Sequence, residues 1–334
     1  MKVTRLLLAL VGVSLMSLAC AGQAPKAYQY FRTGNAHDIS SKTTPGYALM
    51  GGGTDLDAAF KWMCARSGGG DFLVIRATGD GAYNPDIAGW CHQNSVATLV
   101  IPTREAANDP AVARIMSQAE AIFISGGDQA HYIHAWKGTP VQEELNRAIA
   151  RGVPIGGTSA GLAVQGEYIY SAQNDSEDGP DLSSDVALAD PFAHQVVIVH
   201  GFLNDPLLRN TITDTHFDTR KRMGRSMVFM ARILAGKQQT SIRAIGVDER
   251  TAVLLSVDGS STVVGRGAAY FFQADRPPRL CVAGKPLTFR GIKVRKTPSG
   301  GHFNVKRWSG EGTRYEVRVE NGVLQPVAPA TSVY

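Results

Sequence analysis

Gly157, Thr158, Ser159, Ala160 and Gly161 follow an apolar stretch and place one hydroxyl at the centre of a Gly-x-Ser-x-Gly pentad. A serine attacks a carbonyl carbon only when a base takes its proton and the backbone holds it clear. Small neighbours permit the sharp strand-to-helix turn that does this, and the amide of Ala160 then points into the site as an oxyanion donor. The same glycines also suit an ordinary tight loop, so the pentad needs partners. His216, in Asp214-Thr215-His216-Phe217, is the best base among the eight histidines. It is read as opening a helical stretch that carries Arg220, Arg222 and Arg225, whose forked donors suit carboxylate recognition. The third member should orient the imidazole and stabilise its charged form. Between serine and histidine lies the polar run Asn174 to Asp178, from which Glu177 is chosen, with Asp178 as its substitute.

Gly126-Gly127-Asp128-Gln129 completes the set. The amides of Gly126 and Gly127 can approach a substrate and serve as the second oxyanion donor, and Gln129 can hold a substrate amide or carboxylate. His131 and His134 stand three apart, but no third acidic ligand is visible beside them, so no metal is expected. His194 and His200 flank an apolar strand and read as structural. His37, His92 and His302 have no partner that sequence identifies.

These residues need a scaffold that gathers them. Tyr47 to Met50, Phe72 to Arg76, Val96 to Ile101, Ala121 to Ile124 and Val153 to Ile155 read as buried strands. Helical patterns lie between them: one capped by Thr54 and reaching Ala65, one near 108–119 and one near 139–151. Such alternation predicts an α/β fold with a mostly parallel sheet and helices on both faces, its ligands beyond the carboxyl ends of the strands. Three of those ends are glycine-rich (Gly51 to Gly53, Gly126 with Gly127, Gly156 with Gly157), and free amides are expected around Ser159. Gly51 to Gly53 lacks the spaced glycines of a dinucleotide fingerprint. The pattern alternates near Ile242 to Ser256 and stays β-rich from Ala268. A boundary is placed at Ala274, ahead of Pro277 and Pro278, giving a main domain over 22–274 and a small β-rich appendage over 275–334.

The chain has 334 residues, 44% of them hydrophobic and 19% charged, which is ample for a packed core and unlike a disordered tail. A net charge of +5 without a long basic run argues against nucleic acid as partner. Met1 to Ala21 reads as a secretory leader: basic start, apolar Leu6 to Leu18, and small residues before a cut after Ala21. Lipid attachment at Cys20 is less favoured, because Ser17 and Leu18 suit it poorly. No later segment is long and apolar enough to span a bilayer. Outside the leader, Cys64 and Cys91 are either bridged, leaving Cys281 alone, or all three are buried thiols.

The combination of Gly126 to Gln129, Gly156 to Gly161, Asp214 to Phe217 with Arg220, Arg222 and Arg225, and the stretch Ala244 to Ala252 resembles the cyanophycinase and dipeptidase E group of serine peptidases. The resemblance runs from about Tyr47 to Val264. It implies a class I glutamine-amidotransferase-like (flavodoxin-like) fold, often dimeric, hydrolysing peptide bonds at aspartyl residues through a serine, histidine and acid, with no metal or organic cofactor. The doublet and the arginines look more like cyanophycinase, whose substrate is a polyaspartate backbone with arginine on each side-chain carboxylate and whose product is β-Asp-Arg. On that likeness Gln129, Asp128, Thr215, Arg220, Arg222 and Arg225 bind substrate. Thr215 departs from the pattern, since cyanophycinases typically carry a glutamine there. Two rival readings are an α/β-hydrolase esterase, for which His302 is the one late histidine, and an exported binding protein that has lost catalysis.

Overall fold

The computed structural model describes residues 27–175, 181–237, 239–328 and 332–334. The expected leader, Glu177 and Asp178 lie outside the described residues. Two sheets make the body. Across the first, the strands run Gln29–Gly34, Ser95–Val100, Asp71–Arg76, Ala121–Ile124, Ile155–Thr158, Gly46–Met50, Thr251–Ser256, Ser260–Gly265, His302–Asn304 and Ser309–Gly310. The five from Ser95–Val100 to Gly46–Met50 are mutually parallel, while Gln29–Gly34 and the strands from Thr251–Ser256 onward pair antiparallel. The parallel α/β core is therefore as the alternation of apolar runs and helical patterns requires, but it is flanked by antiparallel strands.

The parallel strands are buried on both faces, and their period of two divides the side chains. Leu49, Leu73, Ile75, Leu99, Ile122 and Ile124 face helices Pro110–Ser117, Gln129–Trp136 and Pro140–Arg151. Their neighbours Ala48, Met50, Phe72, Val74, Val96 and Phe123 face Phe60 and Met63 of helix Asp57–Arg66 and Ile87 of helix Tyr83–Trp90. The first of these two helices begins later than expected: Leu56 is its N-cap and no side chain caps it, so Thr54 does not. Cys64 at its end is bridged to Cys91 by a disulfide, with Cα atoms 6.1 Å apart. Cys281 is free and half-buried.

The second sheet runs Val323–Pro326, Thr313–Glu320, Phe289–Pro298, Ala268–Ala274, Ile242–Val247, Thr211–Asp214, Tyr168–Tyr170 and Ile198–His200. Phe271 turns toward the first sheet and stacks on Phe303, with ring centroids 3.7 Å apart. Tyr270 and Phe272, on the other face, pack with Phe217 and with Met227 and Met230 of helix Met223–Ala235. The boundary expected at Ala274 falls between adjacent strands of this sheet, because Phe289–Pro298 pairs with Ala268–Ala274 over six residue pairs. Phe289, Ile292, Val294, Val317 and Val319 share its core, and His302–Asn304 adds a strand to the first sheet. Residues 275–334 are thus woven into both sheets rather than appended.

Candidate active site

Helix Pro140–Arg151 starts after Thr139 with proline at its first turn and stops at Gly152, left-handed at φ 81°. Pro154 then feeds strand Ile155–Thr158, in the centre of the first sheet. At Ser159 the backbone turns sharply, with φ 51° and ψ −117°, and helix Ala160–Ala163 follows at once. For a residue with a side chain this conformation costs on the order of 1–3 kcal/mol and is held by its surroundings. The Ser159 amide donates to the Met50 carbonyl at 3.1 Å. Gly157 and Gly161 let the elbow close, since a Cβ on Gly161 would lie 2.0 Å from the Ile124 oxygen and one on Gly157 2.5 Å from that of Gly161.

His216 comes from the other sheet. It follows strand Thr211–Asp214, and its amide donates to Gly51 at 2.7 Å, which ties it back to the first sheet. Its Nε2 lies 2.7 Å from Ser159 Oγ, and its Nδ1 lies 2.6 Å from Glu249 Oε1. Glu249 stands in the turn after strand Ile242–Val247, where the chain crosses to Thr251–Ser256 in the first sheet. The place expected for Glu177 at the imidazole is therefore held by Glu249. Asp175, two residues before Glu177 in sequence, accepts from the Tyr170 hydroxyl at 2.7 Å and from Gln195 instead.

Of the three glycines after Met50, Gly51 does not present the free amide expected of it. The amide of Gly51 donates to Thr251, and the carbonyl of Gly52 accepts from Arg250. Their use is steric: a Cβ on Gly52 would sit 2.4 Å from Cε1 of His216 and one on Gly53 3.2 Å from Cβ of Glu249. The ring and the acid lie directly on bare backbone.

Gly126 and Gly127 follow strand Ala121–Ile124. The Tyr132 hydroxyl lies 3.0 Å from the carbonyls of both Ser125 and Gly126. In trans peptides this turns the amides of Gly126 and Gly127 away from Tyr132. Among the described residues no group accepts from those two amides or from that of Ala160. A cavity of about 230 Å³ opens here, lined by Ser159, Gly127, Gln129, Thr215, Arg220 and Arg222, with Asp128, Asp175, Asp181 and Arg225 also at its wall.

Several of these groups are already engaged. Asp128 caps helix Gln129–Trp136 by accepting from Ala130 at 2.8 Å. Arg225 is fully buried, and its fork grips Asp214 at 2.5 and 2.9 Å, so it braces strand to helix rather than offering donors to a ligand. Arg222 donates to the carbonyl and hydroxyl of Thr215 and to Asp181, which also takes Arg220. The expected helix over 216–222 is a succession of turns instead, with left-handed backbone at His216 and Lys221, and the helix starts at Met223. That geometry lets Arg222 fold back onto Thr215. Of the expected binding residues, Gln129 makes no side-chain hydrogen bond among the described residues, and the Arg220 side chain bonds only to Asp181.

Burial pushes the His216 imidazole below its usual range, and Arg220 and Arg222 push the same way, while Glu249 draws it back up. Against partial desolvation, which would raise it, Asp181 is held below the usual carboxylate range by Arg222 and Arg220. Burial and Arg225 bring Arg222 down to about 10, so it stays charged at neutral pH. A neutral imidazole touching a serine hydroxyl, with a carboxylate behind it and uncommitted amides beside it, has the parts for acyl transfer. His302 is bonded to Thr262 across two antiparallel strands, away from this assembly.

Known proteins bear on this assembly. The model of peptidase family S51 matches residues 93–261, which span Ser159, His216 and Glu249. Cyanophycinase of Synechococcus elongatus is 29% identical over 257 residues, 73% of either chain. Cyanophycinase of Geminocystis herdmanii is 26% identical over 259 residues, 73% of this chain and 86% of that one. In structure, a peptidase from an acI-B1 Actinobacterium superposes over 79% of this chain and 98% of its own, with TM-score 0.52 at 16% identity, a likeness of fold. The chain belongs to peptidase family S51, as a serine peptidase related to the cyanophycinases.

Proposed function

We propose that this peptidase cleaves peptide bonds formed at aspartyl residues, with cyanophycin as its polymer substrate and β-Asp-Arg as its product. The observation that carries the chemistry is the unbroken relay from Ser159 Oγ through His216 to Glu249, 2.7 and 2.6 Å long. In the reaction His216 takes the serine proton as Oγ attacks the aspartyl carbonyl, and Glu249 stabilises the imidazolium. The amides of Ala160 and of Gly126 or Gly127 receive the oxyanion. The imidazolium then gives its proton to the leaving amine, and water, activated by the same histidine, hydrolyses the ester.

Specificity in this reading rests on Gln129, Arg220 and Arg222 at the cavity. A substrate carboxylate entering there competes with Asp181 for the two arginines. The polymer reading is supported by the cyanophycinase relatives. Thr215 does not extend a long amide to the substrate; its hydroxyl accepts from Arg222 at 3.1 Å. Export is part of the same proposal, supported by the leader-like Met1 to Ala21 and by the Cys64–Cys91 disulfide, a bond that persists in oxidising compartments.

The test incubates the purified protein and its Ser159→Ala variant with cyanophycin and with a panel of α- and β-aspartyl dipeptides, and weighs the products. The expected result is β-Asp-Arg from the native chain alone. Turnover of cyanophycin by the variant at the native rate would overturn the nucleophile. Turnover of dipeptides but not polymer would overturn the substrate.

A further inference from the structure

We propose that the cavity at the opposite end of the catalytic strands is a binding site for a small ligand bearing several oxyanion groups, a di- or tricarboxylate or a phosphate. Three strands deliver the parts of the active site from their carboxyl-side ends or the turns beyond them: Gly46–Met50 leads to Gly51 and Gly52, Thr211–Asp214 to His216, and Ile242–Val247 to Glu249. The residues that begin them, Tyr47, Asn210, Ser241 and Arg243, line a second cavity, of about 430 Å³. At about 3.3 Å per residue, the strands separate it from the triad by roughly 15 Å.

The wall of this cavity carries Arg209, Arg243 and Lys306 and no carboxylate. Among the described residues none of the three cations has an ion-pair partner within 4 Å. Arg243 is half-buried, its guanidinium lies 4.5 Å from the Trp308 ring centre, and its Nη1 donates to the Val305 carbonyl at 3.2 Å. Burial alone lowers its pKa, as befits a partly desolvated cation with no counter-ion. The acids nearby are otherwise placed. Asp205 is buried beside Tyr47 and pushed up to about 7 by that burial, Glu167 accepts from the Asn210 amide, and Asp258 accepts from Ser260 and feels Lys306 only through space, beyond ion-pair distance.

Cations that face one space without an anion repel one another, Arg243 has given up part of its hydration as well, and an anion relieves both costs. Arginine forks and an ammonium together match a ligand with more than one oxyanion. Asn210 and Ser241 supply further polar groups, and Leu207, Val257 and Val305 an apolar wall, as in small-molecule sites of this size.

The experiment titrates citrate and, separately, inorganic phosphate into the purified protein by calorimetry at low salt. It repeats both with Arg209→Gln, Lys306→Gln and, as a control in a different cavity, Arg307→Gln. Arg209 and Lys306 are exposed, so neither substitution disturbs the core. Saturable binding of at least one anion is expected, weakened tenfold or more by each of the first two substitutions and unchanged by the third. The anion that binds more tightly identifies the class as carboxylate or phosphate. No saturable binding of either anion to the native protein, or equal binding by all variants, would overturn the proposal.

Discussion

Burial and two neighbouring arginines lower the His216 pKa below 6.5, whereas the bond to Glu249 raises it. The base works only when neutral, so activity is complete above that pKa and is lost as pH falls through it. The acid limb of kcat/KM, which reports the free enzyme, is therefore expected below pH 6.5. A limb at or above 6.5 would show that the arginines and burial do not govern the ring. Glu249→Gln removes the one influence that raises the pKa, so the limb should move still lower. The same change deprives the imidazolium of its counter-charge, and kcat should fall by about 10²- to 10⁴-fold. Native kcat in this variant would count against Glu249. Serine and histidine could be read from the chain because each sits in a short motif of distinctive composition. Glu249 could not: Asp248-Glu249-Arg250 looks like any polar turn between two apolar runs, and it follows the histidine, whereas the richer acidic run Asn174 to Asp178 precedes it. The available signal was positional, since Glu249 lies just beyond the carboxyl end of a strand parallel to the one leading to His216.

At the level of elements, the glycine run after Met50 illustrates how composition suggests one role and geometry adds another. Glycines at a strand end read as exposed amides, yet here the missing Cβ atoms matter, because the His216 ring occupies the space above Gly52. Gly52→Ala would add both a contact at 2.4 Å and a side chain at φ 95°. Displacing the imidazole by about 1 Å costs on the order of 10² in rate. A fall in kcat of that size is expected, with a Tm change of only a few degrees, about 2–4 °C per kcal/mol. Unchanged kcat would mean that the ring has room to spare. The central strands and the longer helices were legible from apolar period and from Pro140 and Gly152 at the ends of one helix. The stretch after His216 was not, because Arg220, Arg222 and Arg225 fall at helical spacing while the backbone turns twice through left-handed residues.

At the level of the whole molecule, the two prolines after Ala274 suggested a boundary that the sheets do not respect. Pairing between distant strands is invisible to local pattern, and Phe289–Pro298 is an ordinary neighbour of Ala268–Ala274. Tyr334 completes the link: its hydroxyl accepts from the Met223 amide at 2.8 Å, and its ring meets Phe217, the residue after the proposed base His216. A chain cut after Ala274 is therefore expected to be insoluble and inactive, as sedimentation and an activity assay would reveal. A soluble, active 22–274 fragment would show the C-terminal strands to be dispensable.

Ser159 and His216 belong to different sheets and are joined by a single 2.7 Å contact. The reaction thus gauges how the two layers are seated on each other. A slip between them too small to break any strand pairing would part the Ser159 hydroxyl from the His216 ring, so on the proposed mechanism the enzyme can fall silent while every ladder of backbone bonds remains intact.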